Sequence, residues 1–290
     1  MIINASGRTD IVGFYTPWFL NRIKEGYFLV QNPFDAHFLS RIEMKDIDLI
    51  VFCTKNPLPI LGSLDQIPVP YLFQVTLTPY HQDVEPNVAN KKEIIKGIQA
   101  LSLCSKIKPV LRYDPILVNS RYTVDYHVRA FSKLCKELDG YVEKIIVSFV
   151  DVYKNVRFHQ QELQCRSIGS EDMEKIGLSF AQLAAKHHMS VQTCFEKQDL
   201  SEYGFKKDVC LSVQEAYAIT GKIFKKWKAR NCGCVEMVDI GAYNTCQHLC
   251  KYCYANYDER QIQRNIDRHD PLSPLLIGHP RVGDVIKERR

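Results

Sequence analysis

Seven short apolar runs divide the chain: Ile2–Ala5, Ile47–Cys53, Tyr71–Leu77, Ile107–Arg112, Lys144–Phe149, Met189–Cys194 and Val235–Ile240. Each has the length of a strand, and several are rich in β-branched or aromatic residues and stop at turn formers. Between them the apolar positions change to helical spacing. They recur at Ile94, Ile95, Ile98 and Leu101 within Asn90–Leu103, and at Val128, Phe131, Leu134 and Leu138 within Tyr122–Leu138. Ser170-Glu-Asp opens a helix over Met173–His187 with an N-cap and an acidic first turn, and Ser212 with Glu215 forms a capping box for a helix running to about Arg230. Strand then helix, repeated, predicts a parallel sheet whose strands are apolar rather than alternating, because helices cover it. The expected fold class is α/β: a parallel (β/α) barrel or partial barrel of about seven strands, forming one domain over 1–290. Within it lie a cysteine-rich region, 194–257, and a C-terminal helix and tail, 258–290.

Most of these strands end in polar residues, as at Ser6-Gly-Arg8-Thr9-Asp10, Lys55-Asn56, Arg112-Tyr-Asp114, Gln192-Thr-Cys-Phe-Glu196 and Asp239. In (β/α) barrels the C-terminal strand ends form the active-site face, although such residues are also ordinary turn formers. Lys55, Arg112 and Asp114 are the candidate catalytic residues. Arg112 and Asp114 equally suit a local ion pair turned by Pro115, and Lys55 suits a carboxylate, a phosphate or a helix cap.

Composition narrows the setting. The 290 residues are 46% hydrophobic and 24% charged, as in ordinary globular domains. No run of about 18 apolar residues is present to span a bilayer, and the opening segment lacks a basic-then-apolar layout, so the expected location is the cytoplasm. There, eleven cysteines point to metal or redox chemistry rather than disulfides. A net charge of +5 is compatible with an anionic partner, nucleic acid included, and does not require one.

The densest chemistry is Cys246-Gln-His-Leu-Cys250-Lys-Tyr-Cys253. Three thiolates on one loop fall one short of a closed iron–sulfur or zinc site, so either a distant ligand completes it or one metal position stays open. A zinc knuckle using His248 or another cysteine is the plainer alternative, although zinc loops favour paired two-residue gaps. Cys-x-x-x-Cys-x-aromatic-Cys resembles the cluster loop of radical S-adenosylmethionine (SAM) enzymes, and Tyr252-Cys253-Tyr254-Ala255 resembles the spore photoproduct lyase-like branch. The resemblance implies a [4Fe–4S] cluster whose open iron chelates SAM, formation of a 5′-deoxyadenosyl radical, and an electron donor such as a flavodoxin or ferredoxin. It also implies that Tyr252 packs on the adenine of SAM, and that His248 points away from the metal.

Such loops usually follow the first strand of the barrel, whereas this one begins at residue 246. A circular permutation accounts for that, since the first and last elements of a barrel are neighbours. The whole chain resembles an uncharacterised bacterial family with a C-terminal radical-SAM-like cysteine cluster. In the permuted order Val235–Ile240 lies beside Ile2–Ala5, and Ser6–Asp10 stands where these enzymes carry the Gly-Gly-Glu that holds the SAM amino group. Arg8 and Asp10 are therefore the candidate SAM-binding residues, although Gly-Gly-Glu itself is absent.

Cys194, Cys210, Cys232 and Cys234 form a second candidate group, for an auxiliary cluster or a zinc ion, since Cys-Gly-Cys gives two thiolates a tight, flexible backbone. Cys53, Cys104, Cys135 and Cys165 are expected to be structural. The leading expectation is a radical SAM enzyme acting on an unknown substrate. Its competitors are a metal-stapled nucleic-acid-binding module, for which Lys222–Arg230 with Phe224 and Trp227 is the nearest basic segment, and a redox protein without SAM chemistry. The same segment also reads as the solvated face of an amphipathic helix.

Overall fold

The computed structural model describes residues 1–151, 154–194, 196, 199–228 and 232–289. In chain order the strands are β1 (Ile2–Ala5), β2 (Tyr27–Gln31), β3 (Phe38–Glu43), β4 (Leu49–Thr54), β5 (Tyr71–Thr76), β6 (Val110–Ile116), β7 (Lys144–Phe149), β8 (Ser190–Thr193), β9 (Lys206–Lys207), β10 (Val238–Asp239) and β11 (Val285–Glu288). The helices are α1 (Ile11–Phe14), α2 (Thr16–Glu25), α3 (Lys91–Cys104), α4 (Val124–Glu137), α5 (Lys154–Phe158), α6 (Gln160–Leu163), α7 (Ser170–Lys186), α8 (Val213–Thr220) and α9 (Glu259–Asp267).

Eight strands make one sheet in the order β10-β1-β4-β5-β6-β7-β8-β9, every pair parallel. This is the arrangement of a partial barrel with β10 and β9 at its edges. The strand before the cysteine loop does lie beside the N-terminal strand, pairing Ile3 with Val238 and Asn4 with Asp239. It is shorter than expected: Val235 makes only an isolated bridge to Lys226, and the ladder holds Val238–Asp239 alone.

Alternate strand residues enter two cores, as the two-residue period of a strand requires. Ile3, Ala5, Ile50, Phe52, Phe73, Val75, Leu111, Tyr113, Ile145 and Val147 join the core shared with the helices. Ile2, Leu49, Val51, Leu72, Val110 and Ile146 face inward onto Leu211, Val235 and Met237. Continuing the inward register towards the strand ends gives Asn4, Cys53, Gln74, Arg112, Ser148 and Cys194. Uniformly apolar strands were the expectation; the inner face is instead apolar at the N-terminal ends and polar at the C-terminal ends, because the chemistry occupies the second half.

α3 and α4 are capped by side chains, Asn90 Oδ1 accepting from the Lys92 amide and Thr123 Oγ1 from the Tyr126 amide, whereas Ser170 is the first residue of α7 rather than its expected N-cap, which is Gly169, with Glu171 and Asp172 in the first turn. The Ser212–Glu215 capping box is present, but α8 stops at Thr220, where Gly221 adopts a left-handed conformation (φ 70°). The helix to Arg230 is thus overturned, and residues 222–228 lie outside any helix, with only Lys226 bridging to Val235. The expected endpoint Arg230 and the strand-end Phe195 lie outside the described residues.

A separate three-stranded sheet, β11-β3-β2, has no counterpart in the expected pattern. It ties the tail to α2. Trp18 Nε1 donates to Ser273 O (2.9 Å), Asn21 Nδ2 to Pro271 O (2.9 Å), Arg22 Nη2 to Leu272 O (3.0 Å), and the Leu29 amide to Pro274 O (3.0 Å). Among the described residues, no helix is long and apolar enough to cross a membrane.

Deleting residues 268–290 is expected to destabilise the protein by about 2–6 kcal/mol, because buried donors on Trp18 and Arg22 lose their acceptors at about 1–3 kcal/mol each. Thermal unfolding measures this; an unchanged melting temperature would show the tail to be dispensable.

Candidate metal centre

Two groups of cysteines sit at the polar ends of the strands. Cys194 follows β8, Cys210 lies on a segment that crosses the inner face, and Cys234 precedes β10. The crossing segment is held by buried amides: Gln192 Nε2 donates to Val209 O (2.8 Å) and Gln74 Nε2 to Cys210 O (3.0 Å), while the Val235 amide donates to Leu211 O (3.0 Å). These contacts bring the Cys194 and Cys210 sulfurs to 3.2 Å, and those of Cys210 and Cys234 to 3.1 Å. All three lie within 4.8 Å of one another, so they can hold a metal. Cys232 is not part of the set; Gly233, at φ 73°, turns the chain between it and Cys234. Hydrogen bonding from the Cys194 thiol, then from Cys234, together with the nearby Arg112 guanidinium, holds the Cys210 thiol down. Cys194 is pushed up, chiefly by its bond to Cys210.

Cys246, Cys250 and Cys253 occupy the loop after β10. Gly241 lets that loop leave the sheet, since a β-carbon there would stand 2.1 Å from Ser6 Oγ. Asn87 holds the loop through its amide to His248 O (3.2 Å) and its Nδ2 to Gln247 O (2.9 Å), and the Lys251 amide donates to Val84 O (3.0 Å). Tyr15 Oη donates to Thr245 O (2.6 Å) and Asn256 Nδ2 to Cys246 O (2.6 Å). These bonds keep Leu249 left-handed at φ 54°, a conformation costing an L-residue about 1–2 kcal/mol. Burial pushes the Cys246 thiol far up, Cys250 up to about 12 and Cys253 upward. The Ala255 amide donates to Cys253 Sγ (3.4 Å). Among the described residues, only the Cys194 group brings three ligand atoms within 4.8 Å, so the loop sulfurs are spread more widely.

Residues 2–255 match the family described as "Domain of unknown function (DUF1848)". The chain belongs to this DUF1848 family. No curated protein matches it. Among solved structures it is similar to a chain from Bacteroides thetaiotaomicron VPI-5482, provisionally described as an alpha-L-fucosidase, at 10% identity over 76% of this chain and 82% of that one, with a TM-score of 0.29. A likeness at that level carries no argument about activity.

Asp10 of this DUF1848 chain is buried and fully engaged. It accepts from the Gly13 amide (2.7 Å) and the Lys55 amide (2.7 Å), and its Oδ2 lies 2.8 Å from His248 Nε2. Burial alone would raise its pKa, but His248 and the two amides outweigh it and hold the carboxyl below the usual range. His248 thus turns to Asp10. Arg8 pairs with Asp239 (Nε–Oδ1 3.2 Å), which also accepts from Ser6 Oγ (2.6 Å) and the amides of Gly7 and Gly241 (2.8 Å each). Arg112 pairs with Asp114 through Nε (3.0 Å) and reaches Gln74 Oε1 through Nη1 (3.0 Å).

Glu85, which the sequence reading passed over, joins several of these parts. Its side chain is fully buried and accepts from Lys55 Nζ (2.7 Å), Thr78 Oγ1 (2.6 Å), Lys91 Nζ and Tyr252 Oη. Burial raises its pKa, but Lys55 and Lys91 outweigh it and bring Glu85 down to about 2. Lys55 is held up by Glu85 against its own burial, whereas burial of Lys91, with repulsion from Lys55, pushes Lys91 down. Lys55 is the stronger partner, its ammonium also lying 5.4 Å from the Tyr252 ring. Glu85 had no local signal in its loop. Gln74 had one, as a polar residue at an inward position of an apolar strand.

Glu85→Gln should cost about 3–5 kcal/mol by leaving the largely buried Lys55 and the half-buried Lys91 without their counter-charge. Because folding depresses this pKa from 4.5 to about 2, the stabilisation is present above pH 4.5 and disappears as the pH falls from 4.5 towards 2. Urea unfolding against pH measures both; an acid limb unchanged by Glu85→Gln would place that titration elsewhere.

Proposed function

We propose that this protein is a radical SAM enzyme in which Cys246, Cys250 and Cys253 hold a [4Fe–4S] cluster and leave one iron for SAM. The observation carrying this reading is the position of the loop: it leaves the parallel sheet at the C-terminal end of β10, beside β1, with its cysteines drawn in from solvent. The donor set fits the cluster. Three thiols alone suit three irons, and their spacing exceeds that around a single tetrahedral ion. When bound, such a cluster supplies the electron that splits the SAM sulfonium, drawn from a donor such as a flavodoxin or ferredoxin.

The chain's own residues support this in distinct ways. Asp10, through His248, and Asn87 fix the loop against the sheet, so Asp10 acts by positioning cysteines rather than by meeting SAM. Tyr252 turns its hydroxyl to Glu85 and its ring towards Tyr80, and its backbone is the part offered to adenine. Arg112 and Asp114 form a partly exposed charged pair on the inner face. There they can orient a polar substrate group through directed hydrogen bonds.

Anaerobically reconstituted protein should hold about four irons at this loop and, with dithionite and SAM, release 5′-deoxyadenosine. Replacing any one of the three cysteines by Ala should abolish that product. Continued formation of 5′-deoxyadenosine by the triple variant would overturn the assignment.

A further inference from the structure

We propose that Cys194, Cys210 and Cys234 form a separate mononuclear site for a soft divalent cation, zinc in the first place, with a fourth position beside Arg112 left to an external ligand. Spacing decides between one ion and a cluster. A tetrahedral ion with sulfurs at about 2.3 Å keeps them about 3.8 Å apart, whereas cysteines around a cubane stand roughly 6 Å apart. The observed 3.1 Å and 3.2 Å need a small opening to seat one ion and a near doubling to seat a cube.

The convergence is built by the backbone. The three sulfurs come from separate segments, and the one that carries Cys210 is fixed by the Gln74 and Gln192 side chains. Neither glutamine is surplus polarity: each is 2% exposed and spends its amide on the segment that carries Cys210. Packing alone would set thiols against carbon. Here the middle sulfur touches two others, and a disulfide would use only two of the three.

Charge points the same way. Three thiolates around a divalent ion carry one net negative charge, which the guanidinium beside Cys210 offsets. Three protein ligands with one position open is the coordination of zinc sites that bind water or substrate. Cys53 lies near, but its Sγ is directed at Gln74 Oε1 (4.0 Å), outside the triad.

The test uses the full chain carrying Cys246→Ala, Cys250→Ala and Cys253→Ala, so that no loop cluster contributes metal. This variant should hold about one zinc per chain, and cobalt in its place should give thiolate charge-transfer and tetrahedral d–d bands. Adding Cys210→Ser should lower occupancy at least tenfold, while adding Cys53→Ser or Cys232→Ser should leave it unchanged. In the unmutated chain, zinc should protect these three thiols from alkylation until a chelator is added, a readout independent of how the variants fold. Retained metal in the Cys210→Ser chain, about four irons at the triad, or a disulfide within it in anaerobically prepared protein would each overturn the proposal. Failure of SAM cleavage would leave it standing, since that chemistry belongs to the other loop.

Discussion

One buried carboxylate joins the parts on which everything at the mouth depends. Asp10 caps α1 through the Gly13 amide, receives the Lys55 amide at the end of β4, and holds His248 in the middle of the cysteine loop. A carboxylate removed from water is costly unless its oxygens are satisfied, and here two amides and an imidazole satisfy them. The same bonds that make Asp10 tolerable fix the loop relative to the sheet. Residues 10, 55 and 248 are remote in the chain, so the constraint exists only once β1, β4 and β10 lie side by side.

The inner face divides the molecule by function. Towards the N-terminal strand ends it is a conventional apolar core, with Val51, Leu72, Val110 and Ile146 packed on Leu211 and Met237. One strand residue-pair further, the same register presents Cys53, Gln74, Arg112 and Ser148. Water is excluded below and polar groups are gathered above. The charges there are paired, the partly exposed Arg112 with Asp114 and Arg8 with Asp239, and the fully buried Glu85 with Lys55 and Lys91.

Two thiol groups at one mouth differ in the way they are made. The loop triplet is local, its spacing written in eight consecutive residues and its conformation held by bonds to Asn87, Val84 and Tyr15. The inner triad is assembled from three segments by two buried glutamines. Local assembly leaves its sulfurs more widely spread, whereas convergence of three segments brings those of the triad within 4.8 Å of one another.

The sequence by itself determined the repeating strand and helix order, the parallel sheet and the approximate extents of α3, α4 and α7, because these follow from periodicity and short-range sterics, while the adjacency of β1 and β10 was expected from the resemblance. It also marked Cys246, Cys250 and Cys253, whose meaning lies in their spacing. It failed where the cause is remote. β2, β3 and β11 take shape by pairing with one another, and α8 stops at Thr220 before a left-handed Gly221. Glu85 carries no local signal because its partners come from β4, α3 and the cysteine loop. Membership of the inner triad, which takes in Cys194, Cys210 and Cys234 and leaves out Cys232, was likewise decided only in the tertiary structure. Spacing along a chain reports which side chains share a short segment, whereas which sulfurs meet across a barrel depends on strand register and on the segment that crosses its interior.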